Sequence, residues 1–265
     1  KKEIRRIEFP CFCYIRPLKK LITTLCLVFL SSYSYSENPP PDGPYETFHE
    51  NGQLESRGTV KDGKMDGVWE TFYKTGQLRG RGTSKDGKTN GVWESFYENG
   101  VLRGRGNYQD GETGPVMFFF ETGQLQSRGN LKDGKEDGLW EYFHKNGRLK
   151  SRKNVLESRG TFKDGKEDGV WVYFDKWGRL ERRGNIKDGK GVGVWDYFYV
   201  NGQLWNRRTW KNGKEEGLWE YFHENGQLGG RGNYKDGKMD GVFESFYENG
   251  QLQVRENYKD GKEDG

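Results

Sequence analysis

The sequence contains no alanine, only three cysteines and only seven prolines, whereas glycine occurs 40 times in 265 residues. Alanine is the best helix former, and glycine costs a helix interior up to about 1 kcal/mol, so this composition argues against a helical fold. Hydrophobic residues make up 31% of the chain and charged residues 32%, a balance that is typical of disordered proteins. The aromatic content of 15% is too high for disorder. A β-rich protein with many turns remains.

The three cysteines, Cys11, Cys13 and Cys26, all lie in the first 36 residues, which we call the leader. The rest of the chain therefore lacks the thiols that a disulfide or a thiolate metal site needs. The leader also carries seven Lys or Arg and two acidic residues, which leaves the rest of the chain nearly neutral. A neutral chain offers no electrostatic footprint for nucleic acid phosphates.

The leader predicts export. Lys19 and Lys20 precede an apolar run at 21–30, and the small residues Ser34 and Ser36 follow it in the pattern of a cleavage site. A membrane span needs about 20 apolar residues, so this run is too short, although a buried strand or short anchor stays an alternative. We predict a signal peptide at 18–36 and a periplasmic, surface or secreted protein, or a cytoplasmic one if the signal does not function.

After a Pro-rich linker at 37–42, the chain from 43 to 265 consists of tandem repeats. Most repeats span 24 residues, but one spans 23 and one 31, and the long one duplicates 149–152 as 156–159. The units begin at Gly43, Gly67, Gly91, Gly114, Gly138, Gly169, Gly193, Gly217 and Gly241, and Gly265 opens a tenth. Checking for such a period comes first, because a missed repeat gives a wrong fold.

Each unit carries two turn signals, such as Asn225-Gly226 and Asp236-Gly237. Both pairs favour two-residue type I′ hairpin turns, whose central residues need positive φ. Each unit is therefore predicted to be a β-hairpin. Nine units predict an all-β, elongated and twisted antiparallel meander of about eighteen strands.

A two-residue turn at Asn225-Gly226 fixes the register of its hairpin. It places His223 opposite Leu228, Trp219 opposite Gly232, and Glu220 opposite Arg231 as a cross-strand ion pair worth about 0.2–1 kcal/mol. An indole can cover the backbone that a strand glycine leaves bare. The same register predicts the ion pairs Glu46–Arg57, Glu70–Arg81, Glu94–Arg105, Glu141–Arg152, Asp196–Arg207 and Glu244–Arg255.

The recurrent pattern G-x-W-x-x-F-Y-x-N-G-x-L, as in Gly91, Trp93, Phe96, Tyr97 and Asn99 onward, resembles the bacterial MORN-repeat variant proteins. Many of those are YwqK-family antitoxins of toxin–antitoxin systems. The resemblance extends from 43 to 265 and implies stacked β-hairpins that act as scaffolds attached to membranes, lipids or proteins. An export leader does not fit the neutralisation of a cytoplasmic toxin, and no catalytic domain accompanies the repeats.

The repeats suggest no catalytic residue, metal site or cofactor. His49, His144 and His223 occupy one slot of three separate units, where other units have Tyr, Phe or Asp, so we interpret them as substitutes for Tyr rather than as metal ligands. The segment D-G-K-x-D-G lacks the third acidic position and the closing Glu of an EF-hand, and we interpret it as a turn.

One aromatic set is the candidate binding face. Its members recur at fixed slots: Trp69, Trp93, Trp140, Trp171, Trp195, Trp219, Tyr73, Tyr97, Tyr199 and Tyr247. The set is either the core that each repeat buries against its neighbours or an exposed ladder for sugars, peptides or a partner sheet, and we favour the core. The sequence predicts a scaffold that binds a protein or envelope partner, with a membrane lipid or a glycan as other ligands. The alternatives are an antitoxin-type protein and a carbohydrate- or cell-wall-binding module.

Overall fold

The computed structural model describes residues 41–145 and 154–264. The leader with its cysteines and cleavage site, Arg152 and Gly265 lie outside these ranges. Within the described ranges there is no helix, and 22 strands form one antiparallel sheet. The predicted all-β fold of tandem hairpins is confirmed.

In some repeats the first strand of the hairpin is continuous, and in others it is divided into a two-residue strand and a longer one. The strands are β1 Gly43–Phe48, β2 Leu54–Lys61, β3 Lys64–Met65, β4 Gly67–Phe72, β5 Leu78–Lys85, β6 Lys88–Phe96, β7 Leu102–Gln109, β8 Glu112–Phe119, β9 Leu125–Lys132, β10 Lys135–Phe143, β11 Leu156–Lys163, β12 Lys166–Glu167, β13 Gly169–Phe174, β14 Leu180–Lys187, β15 Lys190–Phe198, β16 Leu204–Lys211, β17 Lys214–Phe222, β18 Leu228–Lys235, β19 Lys238–Met239, β20 Gly241–Phe246, β21 Leu252–Lys259 and β22 Lys262–Glu263.

Each hairpin pairs with the next one through its second strand. In the hairpin of β4 and β5, Glu70 lies opposite Arg81. On the other side of β5, Arg81 lies opposite Glu94 of β6, which opens the following hairpin. The described residues contain nine such hairpins, and an Asn-Gly-type turn closes each of the eight whose turn is described. An acidic side chain in one repeat therefore has an arginine on both sides.

The Asp-Gly turns have the predicted geometry. Asp236 has φ of 52° and Gly237 has φ of 82°, and Lys235 lies opposite Lys238. Two successive residues with positive φ define the type I′ turn, whose twist matches that of the flanking strands.

The Asn-Gly turns differ from the prediction. Gly226 has φ of 84°, whereas Asn225 is not among the residues with positive φ. The N–H of Gly226 donates to the carbonyl of His223, and the N–H of His223 donates to the carbonyl of Gln227, both at 2.8 Å. This is a type I turn followed by a left-handed glycine, so Leu228 lies opposite Phe222 rather than His223. The predicted pairs Trp219–Gly232 and Glu220–Arg231 keep their register.

The glycine that opens most units lies at an irregularity that the sequence did not predict. Gly91 has φ of 78°, and the register between β5 and β6 shifts there. Thr83 lies opposite Asn90, but Arg81 lies opposite Glu94, so β6 carries two extra residues. Such a bulge increases the local twist of the strand.

The 31-residue unit corrects one predicted ion pair. The N–H of His144 donates to the carbonyl of Val155 at 2.9 Å, the bond that closes the other Asn-Gly-type turns. The strand therefore resumes at the second copy of the duplicated segment, and Arg159 lies opposite Glu141. The predicted partner of Glu141, Arg152, belongs to the first copy.

Candidate functional site

The six tryptophans of the candidate binding face are buried, with between 0% and 7% of each side chain exposed. Each ring of the first five lies against the preceding repeat. A Cβ atom added to Gly82 would lie 2.1 Å from the Trp93 ring, and one added to Gly184 would lie 2.1 Å from the Trp195 ring. The indole thus occupies the space of a missing side chain, but of the glycine in the preceding repeat and not of the glycine opposite it in its own hairpin: a Cβ atom added to Gly232 would meet Phe243 rather than Trp219.

The indole N–H groups of four of these tryptophans reinforce the inter-repeat contact, whereas that of Trp171 is buried without a partner. Trp93 Nε1 donates to the carbonyl of Thr83 at 2.7 Å, and Trp195 Nε1 donates to the carbonyl of Asn185 at 3.1 Å. Trp69 and Trp140 make the equivalent bond to the residue ten positions earlier. An exposed ladder of rings is therefore not supported at the six tryptophans, and their burial agrees with the core interpretation.

Three tyrosines of the same set donate hydrogen bonds to the backbone of the next repeat. The hydroxyl groups of Tyr73, Tyr97 and Tyr199 donate to the backbone carbonyls of Phe96, Phe119 and Phe222 at 2.7, 2.8 and 2.9 Å. Burial raises the pKa of Tyr97 and of Tyr199, which keeps these hydroxyls protonated as donors. Tyr247 belongs to the last described repeat, and half of its side chain is exposed.

The three histidines make the same bond as these tyrosines. Nε2 of His49 lies 3.0 Å from the carbonyl oxygen of Phe72, and Nε2 of His223 lies 2.9 Å from that of Phe246. His144 makes the corresponding contact at 2.9 Å. A carbonyl oxygen only accepts, so Nε2 is the donor. Within the described residues, no three His, Cys, Asp or Glu side chains are grouped as metal ligands.

The arginine row on the other face joins consecutive repeats as well as the two strands of one hairpin. Arg57 Nε lies 2.6 Å from Glu70 Oε2, and Arg81 Nη2 lies 2.8 Å from Glu94 Oε2. By contrast, the predicted pair Glu94–Arg105 has a separation of 3.8 Å. The predicted register is correct, but the closest arginine to Glu94 lies in the preceding hairpin, whereas the predicted pairs Asp196–Arg207 and Glu244–Arg255 are the closer contacts of their carboxylates.

Cation–π contacts accompany the ion pairs between consecutive repeats. The guanidinium of Arg57 lies 5.5 Å from the ring centre of Phe72, and that of Arg81 lies 5.7 Å from Phe96. Each arginine therefore contacts a carboxylate and an aromatic ring of the following repeat at once. The predicted pair Glu220–Arg231 follows the same rule, because Arg231 Nε lies 2.7 Å from Glu244.

Two acidic residues in this row each form ion pairs with an arginine on both neighbouring strands. Asp196 contacts Arg207 at 2.8 Å and Arg183 at 3.2 Å. Burial opposes its ionisation, but the hydrogen bonds and charges of the two arginines outweigh burial and lower the pKa of Asp196. Hydrogen bonds from Arg255 and Arg231 likewise lower the pKa of Glu244.

Glu136 and Glu167 form a second pair of acidic residues, whose pKa values are raised instead of lowered. Tyr142 Oη donates to Glu136 Oε1 at 2.6 Å, and burial raises the pKa of Glu136 despite this bond. Burial, and secondly the charge of Glu136, raise the pKa of Glu167, while Arg182 lowers it. These carboxyl groups therefore weaken the aromatic core when both are charged.

A feature that sequence analysis missed is an exposed aliphatic row. One Val or Leu precedes the Trp or Phe slot in seven repeats, and strand alternation places it on the face opposite the tryptophans. These side chains are between 42% and 61% exposed: Val68, Val92, Leu139, Val170, Val194, Leu218 and Val242. The recurring G-[VL]-[WF] triplet, read with strand alternation, was the signal that could have identified this row.

Another missed feature is Trp177, in the turn between β13 and β14. Its side chain is 67% exposed, although six other tryptophans are buried. Lys176 Nζ lies 4.3 Å and Arg179 Cζ lies 4.7 Å from its ring centre. The signal in the sequence was a tryptophan at the Asn slot of an otherwise regular turn.

No helix in the described residues is long and apolar enough to cross a membrane.

No curated protein matches the chain. Solved structures with similarity include the crystal structures of TcdB2-TccC3-Cdc42, TcdB2-TccC3-TEV and TcdB2-TccC3, with identities of 12%, 12% and 10% and TM-scores of 0.22, 0.21 and 0.20. They cover 81%, 83% and 82% of this chain, which spans only 13%, 15% and 18% of theirs.

The family model described as MORN repeat variant matches seven segments of the chain. They are residues 41–62, 65–86, 89–110, 112–133, 136–157, 215–236 and 239–260. The hairpins β13–β14 and β15–β16 lie between the fifth and sixth matched segments and continue the same sheet. More than half of the sequence is matched, and the chain belongs to the MORN repeat variant family.

Proposed function

We propose that this protein is an exported, non-catalytic scaffold that binds a protein or cell-envelope partner through the exposed aliphatic row. The observation that carries this proposal is that the two faces of the sheet bear different side chains with different exposure. The tryptophans of the aromatic face are buried between repeats. On the opposite face, most repeats have one exposed aliphatic side chain.

The alignment of these side chains distinguishes them from ordinary surface residues. Single exposed aliphatic residues are normal on proteins, and polar residues such as Thr83 and Asn107 separate the members of this row, so it is their regular recurrence along the sheet that marks them. Most consecutive members of the row are two strands apart, or about 10 Å, and only Val92 and Leu139 are four strands apart in the described sheet, because Pro115 occupies the slot between them. Such a regular row suits an extended partner surface better than a small molecule, which prefers a concave pocket.

The charges beside the aliphatic row support an apolar contact. The carboxylates of Glu70, Glu94 and Glu244 are paired with arginines of the chain itself. Paired charges leave little net field to steer an ionic ligand, so the aliphatic groups supply most of the binding energy. The shifted carboxyl groups of Glu136 and Asp196 are likewise engaged by Tyr142 and by arginines, which supports a non-catalytic role.

A pull-down with the full, C-terminally tagged chain tests this proposal against the antitoxin alternative. The bait is compared in envelope and cytosolic fractions of the native cell, with Val92→Thr, Leu139→Thr and Val170→Thr combined as the variant. Threonine keeps the β-branched shape that suits a strand but removes apolar surface. A control bait carries Thr at Lys85, Lys132 and Lys163, which are exposed beside the Asp-Gly turns.

We expect one envelope protein to be recovered by the wild type and the control and to be lost with the aliphatic variant. Recovery of a cytosolic toxin instead would favour the antitoxin alternative. Equal recovery by all three baits would contradict a role for the aliphatic row.

A further inference from the structure

The row of Asn-Gly-type turns carries a second exposed apolar feature, formed by Trp177 and by Val200 of the following turn. Both side chains are 67% exposed. We propose that Trp177, Val200 and the adjacent cations Lys176 and Arg179 are a docking point for an acidic segment of a partner protein that carries apolar side chains. This inference rests on the proposed function as a protein-binding scaffold but uses a different surface.

The turn itself does not need Trp177. In five other turns an asparagine at this slot supplies the acceptor, as when Asn225 Oδ1 accepts the N–H of Gln227 at 2.9 Å, and in two more the slot is threonine. In the turn between β13 and β14, Asp175 Oδ1 accepts the N–H groups of Trp177 and Arg179 at 2.9 and 3.0 Å. The aspartate thus replaces the asparagine as the acceptor. The large ring at position 177 therefore has no part in closing the turn.

The surroundings of Trp177 determine the charge of its partner. Lys176 and Arg179 flank the ring, and Asp175 offsets one positive charge through its 2.7 Å contact with Arg179. A partner segment with Glu or Asp complements these cations, while a rigid tryptophan at the centre is the residue type that dominates binding energy.

Val200 extends the docking point along the row of turns. Its slot is charged in every other repeat, with Glu50, Lys74, Glu98, Glu121, Lys145, Lys176, Glu224 and Glu248. Neighbouring turns of the row are two strands apart, about 10 Å, which about three residues of an extended chain can span. Glu121 and Glu224 limit the cationic stretch on either side and repel a broad anionic surface. A short acidic protein segment therefore fits better than an anionic bilayer.

The test uses the full chain and fluorescence anisotropy with a labelled twelve-residue peptide of glutamates and two leucines three residues apart. A second peptide has lysine in place of glutamate, and vesicles of phosphatidylserine and phosphatidylcholine serve as the anionic surface. The variants are Trp177→Asn, which restores the residue of other repeats, and Val200→Glu. Leu252→Thr, three repeats away and outside the aliphatic row, is the control, because it removes an exposed apolar side chain elsewhere.

We expect the acidic peptide to bind the wild type and Leu252→Thr equally, and to bind Trp177→Asn and Val200→Glu about tenfold or more weakly. The thermal midpoint of Trp177→Asn should be unchanged, because Asp175 still closes the turn. Equal binding by wild type and Trp177→Asn, equal binding of both peptides, or a Trp177-dependent affinity for vesicles without peptide binding would each overturn the inference. The pull-down with the aliphatic variant is independent of these outcomes, so failure here would leave the proposed function standing.

Discussion

At the scale of single residues, the most specific contact is the one between a tryptophan and the glycine of the preceding repeat. The ring occupies the volume of the missing side chain, so the two positions depend on each other. Where the sequence departs from this pair, the neighbours change as well. Arg208 takes the glycine position before Trp219, and its guanidinium donates to Asn206 at 2.6 Å and to Glu215 at 2.5 Å.

The first prediction concerns this contact. Gly82→Ala places a Cβ atom 2.1 Å from the Trp93 ring, which has to move, so we expect a loss of about 1–3 kcal/mol in the free energy of unfolding. Gly232→Ala is the matched control, because the smaller Phe243 leaves 3.2 Å at the same slot. Chemical denaturation of both variants gives the comparison. Equal losses would contradict a specific role of the tryptophan ring.

The second prediction concerns the carboxyl groups of the aromatic core. The pKa of Glu167 is raised in the folded state, so its contribution to stability is greatest below the unfolded value of about 4.3 and is lost as pH rises through the folded pKa. Glu167→Gln should therefore raise the thermal midpoint at pH 7 and have little effect near pH 3. Glu263→Gln, at the exposed equivalent slot, is the control. A similar gain at both pH values would point to packing instead of charge.

At the scale of elements, the two turns of each repeat use glycine in different ways. The Asp-Gly turn has two left-handed residues, whereas the Asn-Gly turn has one, followed by a shift in register. The side-chain amide of Asn225 also donates to the carbonyl of Glu248 in the next repeat at 3.1 Å. The Asn-Gly turns therefore link consecutive hairpins in addition to closing their own.

The third prediction distinguishes the two turn types. Asp236→Gly should leave the free energy of unfolding unchanged or raise it slightly, because glycine adopts the left-handed conformation without strain. Asn225→Gly should lower it by about 1 kcal/mol, because it removes two hydrogen bonds at a position with negative φ. Both are measured by urea denaturation. If Asn225→Gly were neutral as well, the type I assignment of this turn would be wrong.

The strands and turns could be predicted from the sequence more completely than the contacts between side chains. Period and turn signals predicted the hairpins and the pair Trp219–Gly232, because both depend on local chain direction. They could not separate the two turn types, since Asn-Gly is compatible with either. They also could not decide between Arg57 and Arg81 as the partner of Glu70, because both lie opposite it in the sheet. The exposed Trp177 was visible as an irregular turn residue, but its environment was not.

At the scale of the whole molecule, the repeats are held by contacts between neighbours. Each junction combines a buried ring, an arginine, a Tyr or His hydrogen bond and a turn contact in most repeats. An example of the turn contact is the N–H of Gly237, which donates to the carbonyl of Glu215 at 2.9 Å. Stability in such an array is close to a sum of repeat and junction contributions. A change in one repeat should therefore act locally, which leaves the exposed rows elsewhere able to bind.

The fourth prediction concerns export. If the leader is a functional signal peptide, cleavage after Ser36 should release a chain that begins at Glu37. N-terminal sequencing of the protein from the periplasm or medium gives this directly. Soluble cytoplasmic protein that retains the leader would contradict the export proposal and return the antitoxin alternative to consideration.

The most direct test of the central claim, that buried tryptophans join each repeat to its neighbours, is hydrogen exchange on the Trp195→Ala chain. Trp195 lies against Gly184 of the preceding repeat and donates to Asn185. Its removal should cost roughly 3–5 kcal/mol locally. We predict faster exchange confined to about three repeats, residues 169–240, with protection elsewhere as in the wild type. Unchanged exchange around position 195, or a uniform loss of protection along the whole array, would contradict the account.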